Sequence, residues 1–386
     1  MTIDVKGHAD ERFGGVVDAF RAGFLDGHPM GAALAVRVDG KPVVDVWAGT
    51  ADARTGRAWD ADTISVIFSC TKGLMSILAA QLVAEGRLSY DRLVARHWPE
   101  YATDAKAATT IADLLAHRAG VPAIVENLSV EDLSDWDRCV SLLAAATPHW
   151  SPGTAHSYHP ITHGWLIGEV IRRVTRQSIG DVFAERISAP LGIPAWIGLP
   201  ATVEHRVADM AVGASLAEAT RTLEQAAQTD PVPLRAMTLG GALPSALVGP
   251  GEGFNDPRVR AACVPGAGGV TSARALATIW SATVTETDGV QLFPQGLPAD
   301  AVTTVSGGEP FFAAPPPWPR WGMGFQLDSP ARRYVTSRGF GHDGAGGQVA
   351  FAEPDAKVGF AYLTNLMEAG DDRGTRIVDA LRAALE

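Results

Sequence analysis

The sequence predicts an α+β fold, in which an antiparallel sheet assembled from both ends of the chain is flanked by the first and last helices, with a mainly helical segment inserted between them. Three observations carry this expectation. Strand-like alternation clusters near residues 30–50 and again near 321–365, the helical apolar period dominates from about 69 to 310, and helical patterns open and close the chain. The expected organisation is a discontinuous α/β lobe of residues 1–68 and 311–386 and a mainly helical lobe of 69–310, with a site in the cleft between them.

Taken in order, "DERFGGVVDAFRAGFLDG" (10–27) spaces Phe13, Val16, Val17, Phe20 and Phe24 along one helical face, and Gly27 is a plausible stop. "AALAVRVDGKPVVDVWAG" sets two β-branched runs around Asp39-Gly40, the pair that supplies a tight hairpin turn. Helices are predicted at 70–86, 110–120, 164–177, 179–188 and 272–284. "WGMGFQLD" (321–328) reads as a strand, "GQVAFAEPDAKVGFAYLTN" (347–365) as a hairpin, and "RGTRIVDALRAALE" (373–386) as a closing helix.

Composition bounds the function. A chain of 386 residues with 46% hydrophobic and 19% charged residues can bury a large core. A net charge of −11 without a dense Lys/Arg run argues against nucleic acid as a partner, because phosphate contacts need clustered positive charge. No stretch is apolar for long enough to cross a bilayer, so membrane insertion is not expected. The N-terminus reads as neither a signal peptide nor a transit peptide. Three cysteines, Cys70, Cys139 and Cys263, are far apart and form no CxxC pair, which suits a reducing compartment. A cytoplasmic protein acting on a small molecule is the expectation.

Three clusters carry chemistry. In "FSCTKGL" (68–74), Ser69 and Lys72 share one face of a helix at its N-terminus, where a serine hydroxyl can meet an amine and where developing negative charge is favoured. The bland reading is an N-cap serine beside a solvated lysine. Cys70 next to it reads as a small buried residue rather than a nucleophile. In "HWSPGTAHSYHPITHGWLIGEVIRR" (149–173), a Pro-Gly turn precedes Tyr158, whose phenol can sit at the mouth of a cleft. A core tyrosine is the alternative. The crowd of His149, His156, His159 and His163 fits no zinc spacing, so a polar loop is favoured over a metal site and no cofactor is called for. In "FGHDGAGGQVAFAEP" (340–354), a glycine-rich turn leads into a strand whose backbone can approach a ligand closely. It lacks the following helix and Lys-Ser/Thr pair of a phosphate loop. His342 reads as a base, a substrate contact or a polar edge residue.

Together, Ser-x-x-Lys opening a helix, a later tyrosine and a glycine-containing box on a late strand follow the order seen in serine β-lactamases and penicillin-binding proteins. More closely, "VDGKPVVDVWAGTADARTGRAWDADT", "FSCTKGL", "LLAHRAGVP", "WSPGTAHSYHPITHGWLIGEVIRR" and "GFGHDGAGG" resemble the family VIII carboxylesterases, the esterase branch of the class C β-lactamase fold. The resemblance runs from about residue 30 to 365. It implies a β-lactamase/transpeptidase-like fold, with Ser69 as acyl-accepting nucleophile, Lys72 as its base and Tyr158 as the relay of the proton to the leaving group. It places His342, Asp343 and Gly344 at the late Lys-Thr-Gly box. The oxyanion hole would be the backbone N–H groups of Ser69 and Ala345, and His159, His342, Asp343 and Gly344 would bind substrate.

Two positions depart from the β-lactam-processing pattern. Pro160 stands where those enzymes carry an asparagine that bonds substrate amides, and His342 stands where they carry a lysine that helps hold the β-lactam carboxylate. Both departures remove anchors for an acylamino-carboxylate and leave the hydrolytic parts. The expected activity is therefore hydrolysis of short-chain carboxylic esters, with a β-lactamase, a peptidase or amidase, or an acyltransferase as alternatives. A non-catalytic scaffold would be expected to have lost Ser69, Lys72 or Tyr158. The α/β-hydrolase route is rejected, since no serine has glycine at both −2 and +2. The stretch 309–325, rich in aromatic residues and proline, is read as an apolar wall near the cleft.

Overall fold

The computed structural model describes residues 3–24 and 30–386. Its frame is a nine-stranded antiparallel sheet. Across the sheet the strands run Lys6–Ala9, Lys41–Asp52, Gly31–Val38, Val358–Thr364, Gln348–Glu353, Phe340–Gly344, Gln326–Leu327 and Arg320–Trp321, and the short strand Arg57–Ala58 pairs with Lys41–Asp52. The two ends of the chain meet at its centre, where Val358–Thr364 pairs with Gly31–Val38 from Val358 opposite Val38 to Thr364 opposite Ala32. The Asp39-Gly40 turn forms as the sequence predicts. Both residues have positive φ, 48° and 77°, the mirror-image turn that matches strand twist.

Side-chain alternation divides the sheet into two faces with different tasks. On one face Leu34, Val36, Val349, Phe351, Phe360 and Tyr362 pack with Phe13, Val16 and Phe20 of the first helix, Gly14–Ala22 with its preceding turn, and with Ile377, Val378 and Leu381 of the last, Arg373–Leu385. Gly27, the expected stop of that first helix, lies outside the described residues. The other face carries small residues, Ala35, Ala350, Ala352 and Ala361, and these admit helix Ala273–Val284 at close range. A Cβ on Gly359 would stand 2.3 Å from the Ala277 carbonyl oxygen. The sequence grouped this helix with the helical segment; the structure lays it on the sheet.

Between the sheet-forming ends, the chain is mainly helical around Cys70–Ala84 and Thr162–Thr175, which pack on each other. A small three-stranded sheet, Ser65–Val66, Gly269–Thr271 and Ala195–Ile197, lies within this part; the strand-like "TISVIFS" (63–69) signals the first of these strands, and the other two had no signal in the sequence. The expected helix 110–120 is shorter. A capping box of Thr110 and Asp113 starts it at Ile111, and it ends at Leu115 because His117 adopts a left-handed backbone, φ 61°. Among the described residues no helix is long and apolar enough to cross a membrane.

Candidate active site

Ser69 sits at the start of helix Cys70–Ala84, as predicted, but the short strand before it ends at Val66 and Phe68 turns the chain with φ 42°. The first turn of the helix is tight. The N–H groups of Cys70, Thr71 and Lys72 donate to the carbonyls of Ile67, Phe68 and Ser69, so they are not available to a ligand. The Ser69 side chain makes no capping bond to the helix. Instead its Oγ is held from two sides, by Lys72 Nζ at 3.0 Å and by the Tyr158 hydroxyl at 2.8 Å. Ser69 and Tyr158 are half-buried and reach solvent, whereas Lys72 is fully buried.

Lys72 Nζ also donates to the carbonyls of Pro160, at 2.5 Å, and Gly266, at 2.7 Å. Its burial pushes the amine well below the ordinary lysine range, because an ammonium loses hydration there. The Gly266 carbonyl reaches this point because two glycines let the backbone of 265–266 lie against the start of helix Thr162–Thr175. A Cβ on Gly164 would fall 2.0 Å from the Gly266 nitrogen, and one on Gly266 would fall 2.4 Å from the Ile161 carbonyl oxygen. Pro160, noted in the sequence for the asparagine it lacks, contributes through its carbonyl, a role no side-chain pattern reveals.

Tyr158 is fixed by rings. Trp321 stacks on it with centroids 5.5 Å apart, His117 lies 4.7 Å away on another side, and Lys72 Nζ is 4.9 Å from its centroid. Burial raises the phenol above its usual range, so it keeps its proton and donates it to Ser69 Oγ.

The late box closes on the serine. Gly344 lies so near the turn before Ser69 that a Cβ there would stand 2.5 Å from the Ile67 carbonyl oxygen and 3.2 Å from Cys70 Sγ. Gln348 Nε2 ties the same hairpin to the Val66 carbonyl at 2.8 Å. The turn Ala345-Gly346-Gly347 therefore sits beside Ser69. Among the described residues, no acceptor in the protein takes the N–H of Ser69 or of Ala345.

His342 is buried, and its Nδ1 lies 2.7 Å from the Asp343 carbonyl oxygen, which places the proton on Nδ1. Burial brings the ring down to about 3, so it is neutral and supplies no cation. Its ring faces Tyr158 and Trp321, with centroids at 6.2 and 5.2 Å.

One of the expected substrate contacts, His159, is corrected. His159 is fully buried and both ring nitrogens are committed, Nε2 accepting from the Val121 N–H at 3.1 Å and Nδ1 lying 2.6 Å from the Ser157 carbonyl oxygen. It braces the loop rather than facing a ligand. Asp343 is paired with Arg332, Nε to Oδ2 2.7 Å, and its backbone N–H donates to Gln326 Oε1. Burial raises this carboxyl and Arg332 opposes the rise. Cys70 is wholly buried with its thiol pushed well up by burial, an unreactive packing residue as expected. His163 is tied to the Leu115 carbonyl at 3.2 Å, and His149 and His156 lie elsewhere in the loop. Of the aromatic stretch 309–325, Trp321 reaches the site, whereas Phe311 packs at a tilt against Trp150 and is 50% exposed.

His117 and the Gly266 carbonyl had no role in the sequence reading, and Trp321 entered it only within the aromatic stretch 309–325. His117 lies in "LLAHRAGVP", which was legible as resemblance and not as chemistry.

Sheet, helix and the Ser-Lys-Tyr cluster define the class: a serine hydrolase of the β-lactamase fold. More particularly, the chain belongs to the Beta-lactamase family, whose model matches residues 16–384. The Esterase/beta-lactamase LipL of Mycobacterium tuberculosis (strain ATCC 25618 / H37Rv) is 33% identical over 377 residues, 94% of this chain and 83% of that protein. A crystal structure of a family VIII carboxylesterase superposes with a TM-score of 0.86 at 33% identity, covering 99% of this chain and 100% of the other. A penicillin-binding protein homolog from Caulobacter crescentus gives 0.85 at 33% identity, over 99% and 100% of the two chains.

Proposed function

We propose that this protein hydrolyses short-chain carboxylic esters through an acyl-enzyme on Ser69, in the cleft between the sheet-bearing and helical parts. The observation that carries the reading is the double hold on Ser69 Oγ, by an amine and by a phenol. With Lys72 neutral, its two N–H bonds are taken by the Pro160 and Gly266 carbonyls and its lone pair faces the serine hydroxyl. Lys72 takes the proton as Ser69 Oγ attacks the ester carbonyl. The N–H groups of Ser69 and Ala345 receive the developing oxyanion, and being fixed beforehand they cost no reorganisation. Tyr158 passes its proton to the departing alkoxide and takes one back from the Lys72 ammonium, which returns the amine to its neutral, basic state. Water then enters, is deprotonated by the same base and releases the acid.

The ester preference rests on His342 and Pro160. A β-lactam presents a carboxylate that wants a cation, and the neutral His342 ring offers none. A charge-assisted bond of that kind contributes about 1.5–3 kcal/mol. β-Lactam hydrolysis is the second reading, favoured by the name of the LipL relative, which carries both activities. Acyl transfer to an alcohol would use the same acyl-enzyme. The cytoplasmic location expected from the cysteines belongs to this proposal as well.

The test is a comparison of kcat/KM for p-nitrophenyl butyrate and a chromogenic cephalosporin on the same preparation. The proposal expects the ester to win by about two orders of magnitude, the equivalent of one such lost contact at the upper end of its range. Equal efficiency would replace it with the β-lactamase reading. Added alcohol that diverts the acyl group into a new ester would point to transfer.

A further inference from the structure

His117 lies two residues beyond helix Ile111–Leu115 in a left-handed conformation, φ 61°, which non-glycine residues adopt at a cost. That conformation turns two acceptors of one residue onto one strand of chain. The His117 carbonyl takes the N–H of Ser157 at 3.1 Å, and His117 Nδ1 takes the N–H of His159 at 3.2 Å. The residues immediately before and after Tyr158 thus hang on the same side chain and backbone. The imidazole also packs against the phenol ring, and Trp321 closes over both, 4.8 Å from His117 and stacked on Tyr158.

We infer that His117 is the positioning residue of Tyr158, holding its hydroxyl on Ser69 Oγ so that the phenol can deliver a proton to the leaving group. The inference rests on the relay role proposed above for Tyr158. His117 touches no reacting atom, so its effect passes entirely through the tyrosine. Acceptance by Nδ1 requires that the ring proton sit on Nε2 and that no second proton arrive. Burial, with His159, His163, His342 and Lys72 around the ring, keeps it neutral.

A misplaced acid is felt only where a proton is needed. Nitrophenolate leaves as a stable anion, whereas the alkoxide of ethyl acetate must be protonated as it departs, and both esters deliver the same acetyl group. The experiment measures kcat/KM for p-nitrophenyl acetate and ethyl acetate in the wild type, Tyr158→Phe, His117→Leu and His117→Asn. Tyr158→Phe is expected to lose about 10²–10⁴-fold more on ethyl acetate than on the nitrophenyl ester. His117→Leu, which lacks the acceptor, is expected to lose up to about 10²-fold more on ethyl acetate, as for a catalytic group displaced by an ångström. His117→Asn keeps an acceptor at the δ position and tolerates the left-handed backbone, so it should restore the ratio toward wild type. If His117→Leu does not fold, His117→Gly fits the same backbone and carries the same comparison.

Equal losses on the two esters in the His117 variants, or a lowered melting temperature with an unchanged ratio, would reduce His117 to a packing residue and overturn the inference. A flat ratio in Tyr158→Phe would remove the relay itself, a separate failure visible in that variant alone.

Discussion

At Ser69 two groups of opposite task meet on one oxygen, and their environments push them in opposite directions. Burial lowers the Lys72 amine so that it can accept a proton and raises the Tyr158 phenol so that it keeps one to give. Lys72→Arg preserves charge but not basicity, and a loss of about 10²–10⁴-fold in kcat/KM is expected, since a guanidinium stays protonated. Near-normal turnover by that variant would exclude the base role. The pH profile follows with a definite sign. Below the lowered pKa of Lys72 the ammonium cannot take the serine proton, so kcat/KM should rise with pH through a group titrating well below 10.5. A profile that rises only near 10.5 contradicts it. The Ser69–Lys72 pair was legible in the sequence because side-chain chemistry at a fixed spacing is what sequence displays, whereas Tyr158 took its role from the family resemblance. The carbonyls of Pro160 and Gly266 were not, because every residue has one and only the fold aims it. His159 was misread for a related reason: a histidine beside a catalytic tyrosine looks like a ligand contact until its two nitrogens are seen bonded to backbone.

Among the elements, the helix Cys70–Ala84 and the strand Phe340–Gly344 must touch for the site to exist, and Gly344 sets how closely. Its backbone needs no unusual dihedral, so Gly344→Ala probes contact alone. The added methyl would meet the Ile67 carbonyl oxygen at 2.5 Å and push Ala345 away from Ser69. Losing one donor of an oxyanion hole costs about 10²–10³-fold in kcat. The variant is expected to lose that much while remaining folded by circular dichroism; full activity would place the oxyanion elsewhere. The hairpin at Asp39-Gly40 and the closing helix Arg373–Leu385 were readable from turn chemistry and apolar period. The stretch 321–328 was not: the expected single strand is two short ones, Arg320–Trp321 and Gln326–Leu327, which pair with each other around a glycine turn. Pairs of two residues leave too little alternation to detect.

Across the whole molecule, catalysis and acid stability are coupled through buried neutral histidines. His159 and His342 sit at about 3, and burial also holds His117 and His163 well below their ordinary 6.5. An unfolded chain protonates these rings below about 6.5 and the native chain does not, so each contributes a loss of about 1.4 kcal/mol per pH unit as pH falls from there toward 3. The urea midpoint should therefore drop steeply between pH 7 and 5. An unchanged midpoint over that range would mean the rings are charged in the folded protein. The sheet shared by both ends of the chain was legible because its central strands are long apolar runs. The position of helix Ala273–Val284 on that sheet was not, since its period reads the same whichever partner it covers.

The central claim is that Ser69 carries the covalent intermediate, and the most direct test is labelling with a fluorophosphonate followed by peptide mass spectrometry. One phosphonyl adduct is expected, on the peptide containing Ser69, lost in Ser69→Ala and slowed in Lys72→Arg. An adduct on any other residue, or labelling undiminished in Ser69→Ala, would contradict the account.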